Sequence, residues 1–216
     1  MNCRICETES PDFYSDIRRF YKCPACGLIF TEKTADNAAA EKHYKSQWNN
    51  ADADFWKRQV DGLLGVIHRY QMPVGRLLDF GSGAGGITKE FQARGIDATP
   101  LEPMINGYLK DLNYPDKFDV VVGVEVIEHL PDMREELKEI ERVLSTDGIM
   151  LFTTVLTDSF IDSVNEVEQF KGWWYKDDPT HVSFFSRKSV FRLAELMHHA
   201  ADIYGTQLFV LRRRPE

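Results

Sequence analysis

The sequence predicts an α/β chain: a doubly wound parallel sheet preceded by a small cysteine-bearing ribbon and a helical connector. Three observations carry this prediction. Short apolar runs, "RLLDF", "FDVVVG" and "IMLFTT", read as strands buried on both faces and alternate with stretches of helical periodicity. The first run ends in a glycine-rich turn, "GSGAGG", that opens a helix. All four cysteines fall within the first 26 residues, as two Cys-x2-Cys pairs.

Cys3-x2-Cys6, sixteen intervening residues and Cys23-x2-Cys26 have the spacing of paired zinc knuckles. A two-residue gap lets one tight turn aim two thiolates at a single tetrahedral ion. A disulfide framework is the alternative, and it fits poorly with a polar start, "MNCRICETES", that carries no secretion signal. Four thiolates leave no coordination position open, so the expected zinc is structural and the ribbon is assigned to residues 1–30. Arg4, Arg18, Arg19 and Lys22 are balanced by Glu7, Glu9, Asp12 and Asp16, which does not make an RNA-binding face.

Residues 31–71 are assigned to the connector. Tyr44 and Trp48 stand one helical turn apart, as packing residues or as the start of a lid. Phe55, Val60, Leu63, Leu64 and Ile67 then recur at helical intervals, predicting a helix from Asp52 to Tyr70 that Pro73 stops. The main domain is assigned to residues 72–216.

With 43% apolar residues the chain can build a core, and its net charge of −8 argues against nucleic acid as a partner. Arg212, Arg213 and Arg214 read as a solvated end. No apolar run reaches the length of a membrane span, and the expected location is the cytoplasm with reduced cysteines.

Gly81, Gly83 and Gly86 satisfy G-x-G-x-x-G, and Glu102 follows at the distance of a ribose-binding acid, so a nicotinamide dehydrogenase is one candidate. Asp79 opposes it. A carboxylate beside the loop would repel a pyrophosphate, whereas an ammonium or sulfonium would be attracted.

These residues resemble the class I S-adenosylmethionine-dependent methyltransferases, through "LLDFGSGAGG", "LEP" and "FDVVVGVEVIEHLPDMREELKEIERVLSTDGIMLFTT". The resemblance covers most of residues 74–155 and implies a Rossmann-like methyltransferase sheet. It implies that Asp79, Gly81, Gly83 and Gly85 line the methionine part of S-adenosylmethionine, that Glu102 holds the ribose and that Glu125 touches the cofactor. One departure stands out. Only fifteen residues separate Glu102 from Phe118, too few for a helix, a third strand and a return, so strand three is expected to be shortened or missing. Asp111 is then the nearest candidate for the family's adenine-binding acid.

Glu125, Glu128 and His129 stand at i, i+3 and i+4 beyond a strand tip. They either converge on Mg²⁺ or Zn²⁺, or Glu125 touches the cofactor while Glu128 and His129 cap the next helix. Farther on, "WWYKDDPTHVSFFS" resembles the substrate side of a methyltransferase subgroup. There His181 is a candidate base, with His129 as the other, and Trp173, Trp174 and Tyr175 are candidate walls of an acceptor pocket. The expected acceptor is a small molecule. An rRNA or tRNA methyltransferase and a non-catalytic adaptor that keeps the cofactor fold are the alternatives.

Overall fold

The computed structural model describes residues 1–32 and 53–214. Tyr44 and Trp48, and with them the expected lid, lie outside the described residues. β1 (Asp12–Ser15) and β2 (Arg19–Lys22) form an antiparallel hairpin, and β3 (Ile29–Thr31) pairs with β2. α1 (Ala53–Ile67) buries Val60, Leu63 and Ile67, and a 3-10 turn, His68–Tyr70, ends it. Then come β4 (Arg76–Phe80), α2 (Gly86–Ala93), β5 (Asp97–Leu101) and the one-turn helix α3 (Pro103–Asn106). β6 (Phe118–Val124), α4 (Met133–Val143), β7 (Leu144–Thr153) and α5 (Glu166–Lys171) follow. β8 (Ser183–Phe184), α6 (Arg187–Leu196), β9 (His199–Tyr204) and β10 (Leu208–Arg213) complete the order.

The main sheet runs β5-β4-β6-β7-β10-β9, with β4, β5, β6 and β7 parallel and β10 antiparallel to both neighbours. Alternate residues of each strand face opposite layers. Leu77, Val120, Leu151 and Val210 pack with Val60 and Leu63 of α1 and with Ile87 and Phe91 of α2. Leu78, Val121, Met150 and Phe209 pack with Met133 and Leu137 of α4 and with Val190 and Leu193 of α6.

β5 is an edge strand, and among the described residues no third strand lies outside it. The connection from Glu102 to Phe118 holds only α3 and a 3-10 turn, Leu109–Asp111. Buried Leu109 anchors this short path, and Arg142 donates to the carbonyls of Leu109 at 2.8 Å and Leu112 at 3.1 Å. β7 begins directly at Leu144, and the break in its register against β6 makes Ser145–Gly148 a bulge within the strand.

The cysteine-bearing sheet is also tied to the rest. Its order is β1-β2-β3-β8, so two residues that follow the His181 loop supply its fourth strand. Cys3, Ile5, Leu28 and Phe30 share one apolar cluster with Leu78, Phe152 and Leu137.

Candidate active site

The tips of β4, β5 and β6 meet at one end of the sheet, where ligands collect in open α/β folds. The glycine loop crosses that end. Gly81, Gly83 and Gly85 have φ of 75°, 53° and 77°, which L side chains rarely adopt. At Gly81 space is also exhausted, since an added Cβ would lie 2.5 Å from Val126 Cγ2. Gly81→Ala is therefore expected to destabilise the fold by about 2 kcal/mol or more, read as a shift in urea midpoint. Over Gly85 an added Cβ would meet nothing within 4 Å among the described residues. At Gly86 it would meet the indole of Trp56 at 2.5 Å, which shows α1 packed on the start of α2.

Asp79 lies beneath the loop, 2% exposed, and its Oδ2 accepts from the Thr88 hydroxyl at 2.5 Å. Burial pushes its carboxyl up to about 6. Glu102 stands at the tip of β5, where Oε2 accepts from Gly83 N at 3.1 Å and Oε1 from Met104 N at 3.3 Å. Each carboxylate oxygen has two acceptor positions, so two pinned amides leave capacity for two hydroxyl donors. Asp111 is exposed in its 3-10 turn.

Beyond β6 the backbone turns through Glu125, a non-glycine residue at φ 53°. Strain of this kind persists where surroundings fix it. Here Glu125 N donates to Thr153 O at 3.2 Å and to Thr153 Oγ1 at 3.0 Å, and the Thr153 hydroxyl donates to Glu125 Oε1 at 3.0 Å. Glu128 and His129 sit in a 3-10 turn, Ile127–His129, and neither caps α4, whose N-cap is Asp132. Glu128 is wholly buried. The Tyr175 hydroxyl donates to Glu128 Oε1, lies 2.9 Å from Glu125 Oε2 and 3.0 Å from Thr154 Oγ1, and so stands between two carboxylates with a single proton. Burial first, and the charge of Glu125 second, hold the Glu128 carboxyl well above the usual carboxylate range. Its Oε2 has no hydrogen-bond partner among the described residues.

The imidazoles of His129 and His181 meet edge to face with centroids 4.6 Å apart. His129 Nδ1 lies 3.1 Å from Thr180 O, and His181 Nδ1 lies 2.8 Å from Tyr175 O. A carbonyl only accepts, so each ring carries a proton on Nδ1, and in its neutral form the ring's basic nitrogen is Nε2. His181 Nε2 is 4.0 Å from Glu128 Oε1.

Ligand atoms of Glu128, His129 and His181 lie within 4.8 Å of one another. Glu125 is outside this group and His181 takes its place, which corrects the expected trio. The three consecutive aromatics also part company. Tyr175 is buried among the carboxylates, and Trp173, half-buried, packs with Phe160, Phe170, Phe184 and the ring of Tyr175. Trp174 is exposed. Thr153, Thr154 and Trp56 join the site without having been expected from the sequence. Of these only Trp56, an aromatic in the first turns of a helix leading to the loop, offers a local signal.

The chain matches the family described as "Methyltransferase domain" over residues 44–200. It belongs to that family. Curated relatives include the ubiquinone biosynthesis O-methyltransferase of Rickettsia bellii (strain OSU 85-389), 19% identical over 198 residues, covering 73% of this chain and 81% of the relative. That of Actinobacillus pleuropneumoniae serotype 5b is 28% identical over 129 residues, covering 47% and 51%. Among solved structures, the amino pentose methyltransferase of Micromonospora echinaspora, with S-adenosylmethionine bound, superposes with a TM-score of 0.55 at 15% identity, covering 85% of this chain and 99% of that one. The Burkholderia thailandensis 1,6-didemethyltoxoflavin-N1-methyltransferase also gives 0.55 at 15% identity, covering 96% and 100%. The strand-tip groups of this methyltransferase fit S-adenosylmethionine: glycines permit close approach, Glu102 has hydroxyl-accepting capacity, and the loop carries no cation for a pyrophosphate.

The cysteines also gather. Cys3 and Cys26 Sγ are 3.5 Å apart, as are Cys6 and Cys23 Sγ, and all four lie within 4.8 Å of one another. A tetrahedral Zn²⁺ with thiolate ligands places sulfurs about 3.8 Å apart, so the donors suit it.

Proposed function

We propose that this methyltransferase transfers the methyl group of S-adenosylmethionine to a small-molecule acceptor that must lose a proton, with His181 as the base and His129 beside it. The observation that carries this is the pair of imidazoles whose Nδ1 protons are both committed to backbone carbonyls. An imidazole held in that tautomer takes a proton at Nε2, and the cation formed on His181 has the Asp178 carboxylate at 4.0 Å beside Glu128. S-adenosylmethionine supplies the sulfonium-bound methyl as electrophile. The chain's own work is to align donor and acceptor and to exclude water. Glu102 would accept the ribose hydroxyls, while Gly81, Gly83 and Gly85 would let the backbone approach the methionine part. Asp79 sets the charge under the loop and Glu125 faces the cofactor side. The relatives named for ubiquinone biosynthesis and the neighbour that binds 1,6-didemethyltoxoflavin support a small acceptor, and the acidic chain supports it over RNA.

The four cysteines hold a structural Zn²⁺. A competing reading, in which Glu128, His129 and His181 hold a divalent ion and His181 is a ligand and not the base, is favoured by the buried Oε2 of Glu128, which has no hydrogen-bond partner among the described residues. Two imidazoles and one carboxylate suit Zn²⁺ or another transition ion better than the expected Mg²⁺, which prefers oxygen donors.

Asp79 gives a pH test. Its raised folded-state value means the free protein binds this proton more tightly than the unfolded chain, so stability falls as pH rises from the ordinary carboxylate range to about 6. Binding the cofactor's ammonium calls for the ionised form. Affinity for S-adenosylhomocysteine is therefore expected to be about tenfold weaker at pH 5 than at pH 7, and flat in Asp79→Asn, by isothermal titration. The function itself is tested by incubating the protein with labelled S-adenosylmethionine and a panel of phenols, amines and sugars. Label transfer to a member with an ionisable group supports it; transfer only to RNA contradicts it.

A further inference from the structure

The turn between β1 and β2 reaches across to the loop that carries His181. Arg18 is 8% exposed. Its Nη1 donates to His181 O at 2.9 Å, its Nη2 donates to Lys176 O, and its guanidinium lies 5.1 Å from the centroid of Phe20. Asp16, on the same turn, accepts from Arg18 N at 2.9 Å and from Lys176 Nζ at 3.2 Å. Both ends of the segment 176–181 are thus tied to one three-residue turn. The tie continues: Thr31 N donates to Val182 O at 3.0 Å, and Val182 N donates to Glu128 O at 2.9 Å. A guanidinium is costly to bury, and burial is the main force lowering its proton affinity here, opposed by Asp16, Asp178 and Asp177. A planar fork bonded to two carbonyls fixes their relative position in a way that a single ammonium does not.

We propose that Arg18 is a positioning residue for methyl transfer, holding the segment 176–182 so that His181 keeps its Nδ1 bond to Tyr175 O and turns Nε2 toward Glu128. This gives the cysteine-bearing ribbon a task beyond its own fold: it clamps the acceptor side of the site from outside. The proposal rests on His181 as the base, and its test needs no acceptor.

Arg18→Met keeps the apolar stem on Phe20 and removes both donors; Arg18→Lys keeps the charge and one donor. Three readouts are compared in the zinc-loaded full chain: amide exchange in peptides covering 175–182 and 79–86, the tautomer of His181 from ¹⁵N-histidine NMR, and affinity for S-adenosylhomocysteine. In Arg18→Met, exchange in 175–182 is expected to rise at least tenfold and His181 to become a mixture of tautomers. Exchange in 79–86 and nucleoside affinity stay within twofold, and Arg18→Lys falls between. Unchanged exchange and tautomer in Arg18→Met would overturn the proposal, as would equal acceleration of both peptides with loss of nucleoside binding. If Arg18→Met does not fold, an Arg18→Lys protein with native exchange and native tautomer overturns it equally. Turnover that survives His181→Ala beside an altered tautomer in Arg18→Met would remove the base and leave the clamp standing.

Discussion

Replacing His181 by alanine is expected to lower methyl transfer by a factor of about 100 or more while leaving affinity for S-adenosylhomocysteine within about twofold. The ring's partners include Tyr175 O, Glu128, Asp178 and the rings of His129, Tyr175 and Phe184, all on the acceptor side of the site. Its loss therefore removes a proton acceptor without disturbing the cofactor's side. His129→Ala is the companion variant, and steady-state turnover beside isothermal titration separates the two steps. A fall in both quantities would place His181 in cofactor binding, and full turnover would remove it from the chemistry.

Withdrawing the zinc proposed for the cysteine cluster is expected to have the largest effect on stability. Structural zinc in small modules is worth about 10 kcal/mol or more, comparable to the whole stability of a domain. Here the loss would not stay local. Cys3, Cys23 and Cys26 are buried in the cluster that includes Leu78, Phe152 and Leu137, and β3 pairs with β8 just after the His181 loop. Thermal unfolding in a strong chelator, followed by circular dichroism, should show one cooperative transition lowered by more than about 10 °C. Cys23→Ala should behave alike. Two transitions, the later one at the native temperature, would mean that the ribbon unfolds alone.

Much of this architecture is visible in the residues. "RLLDF" and "IMLFTT" are apolar on both faces because helices cover both sides of the sheet, and that continuous pattern survives without knowledge of partners. The missing third strand follows from fifteen residues between Glu102 and Phe118, a matter of chain length alone. Cysteine spacing likewise encodes a local turn. What local pattern cannot carry is contact at long range. The Arg18 to His181 bond joins residues 163 positions apart, and β8 is two residues long, so neither leaves a periodic trace. Glu128 and His129 looked like helix caps or ligands of a trio with Glu125, yet Tyr175, arriving from fifty positions away, stands between the two carboxylates. Trp173 packs against the aromatic cluster of Phe20, Phe170 and Phe184, a grouping that local pattern does not reveal.

The most direct test of a zinc-clamped S-adenosylmethionine site is native mass spectrometry of the purified chain with S-adenosylhomocysteine added, reading metal and nucleoside on the same ion. One zinc and one nucleoside per chain are predicted, with the nucleoside retained and the zinc unchanged in His181→Ala. A folded chain that carries neither would contradict both the cysteine site and the cofactor site.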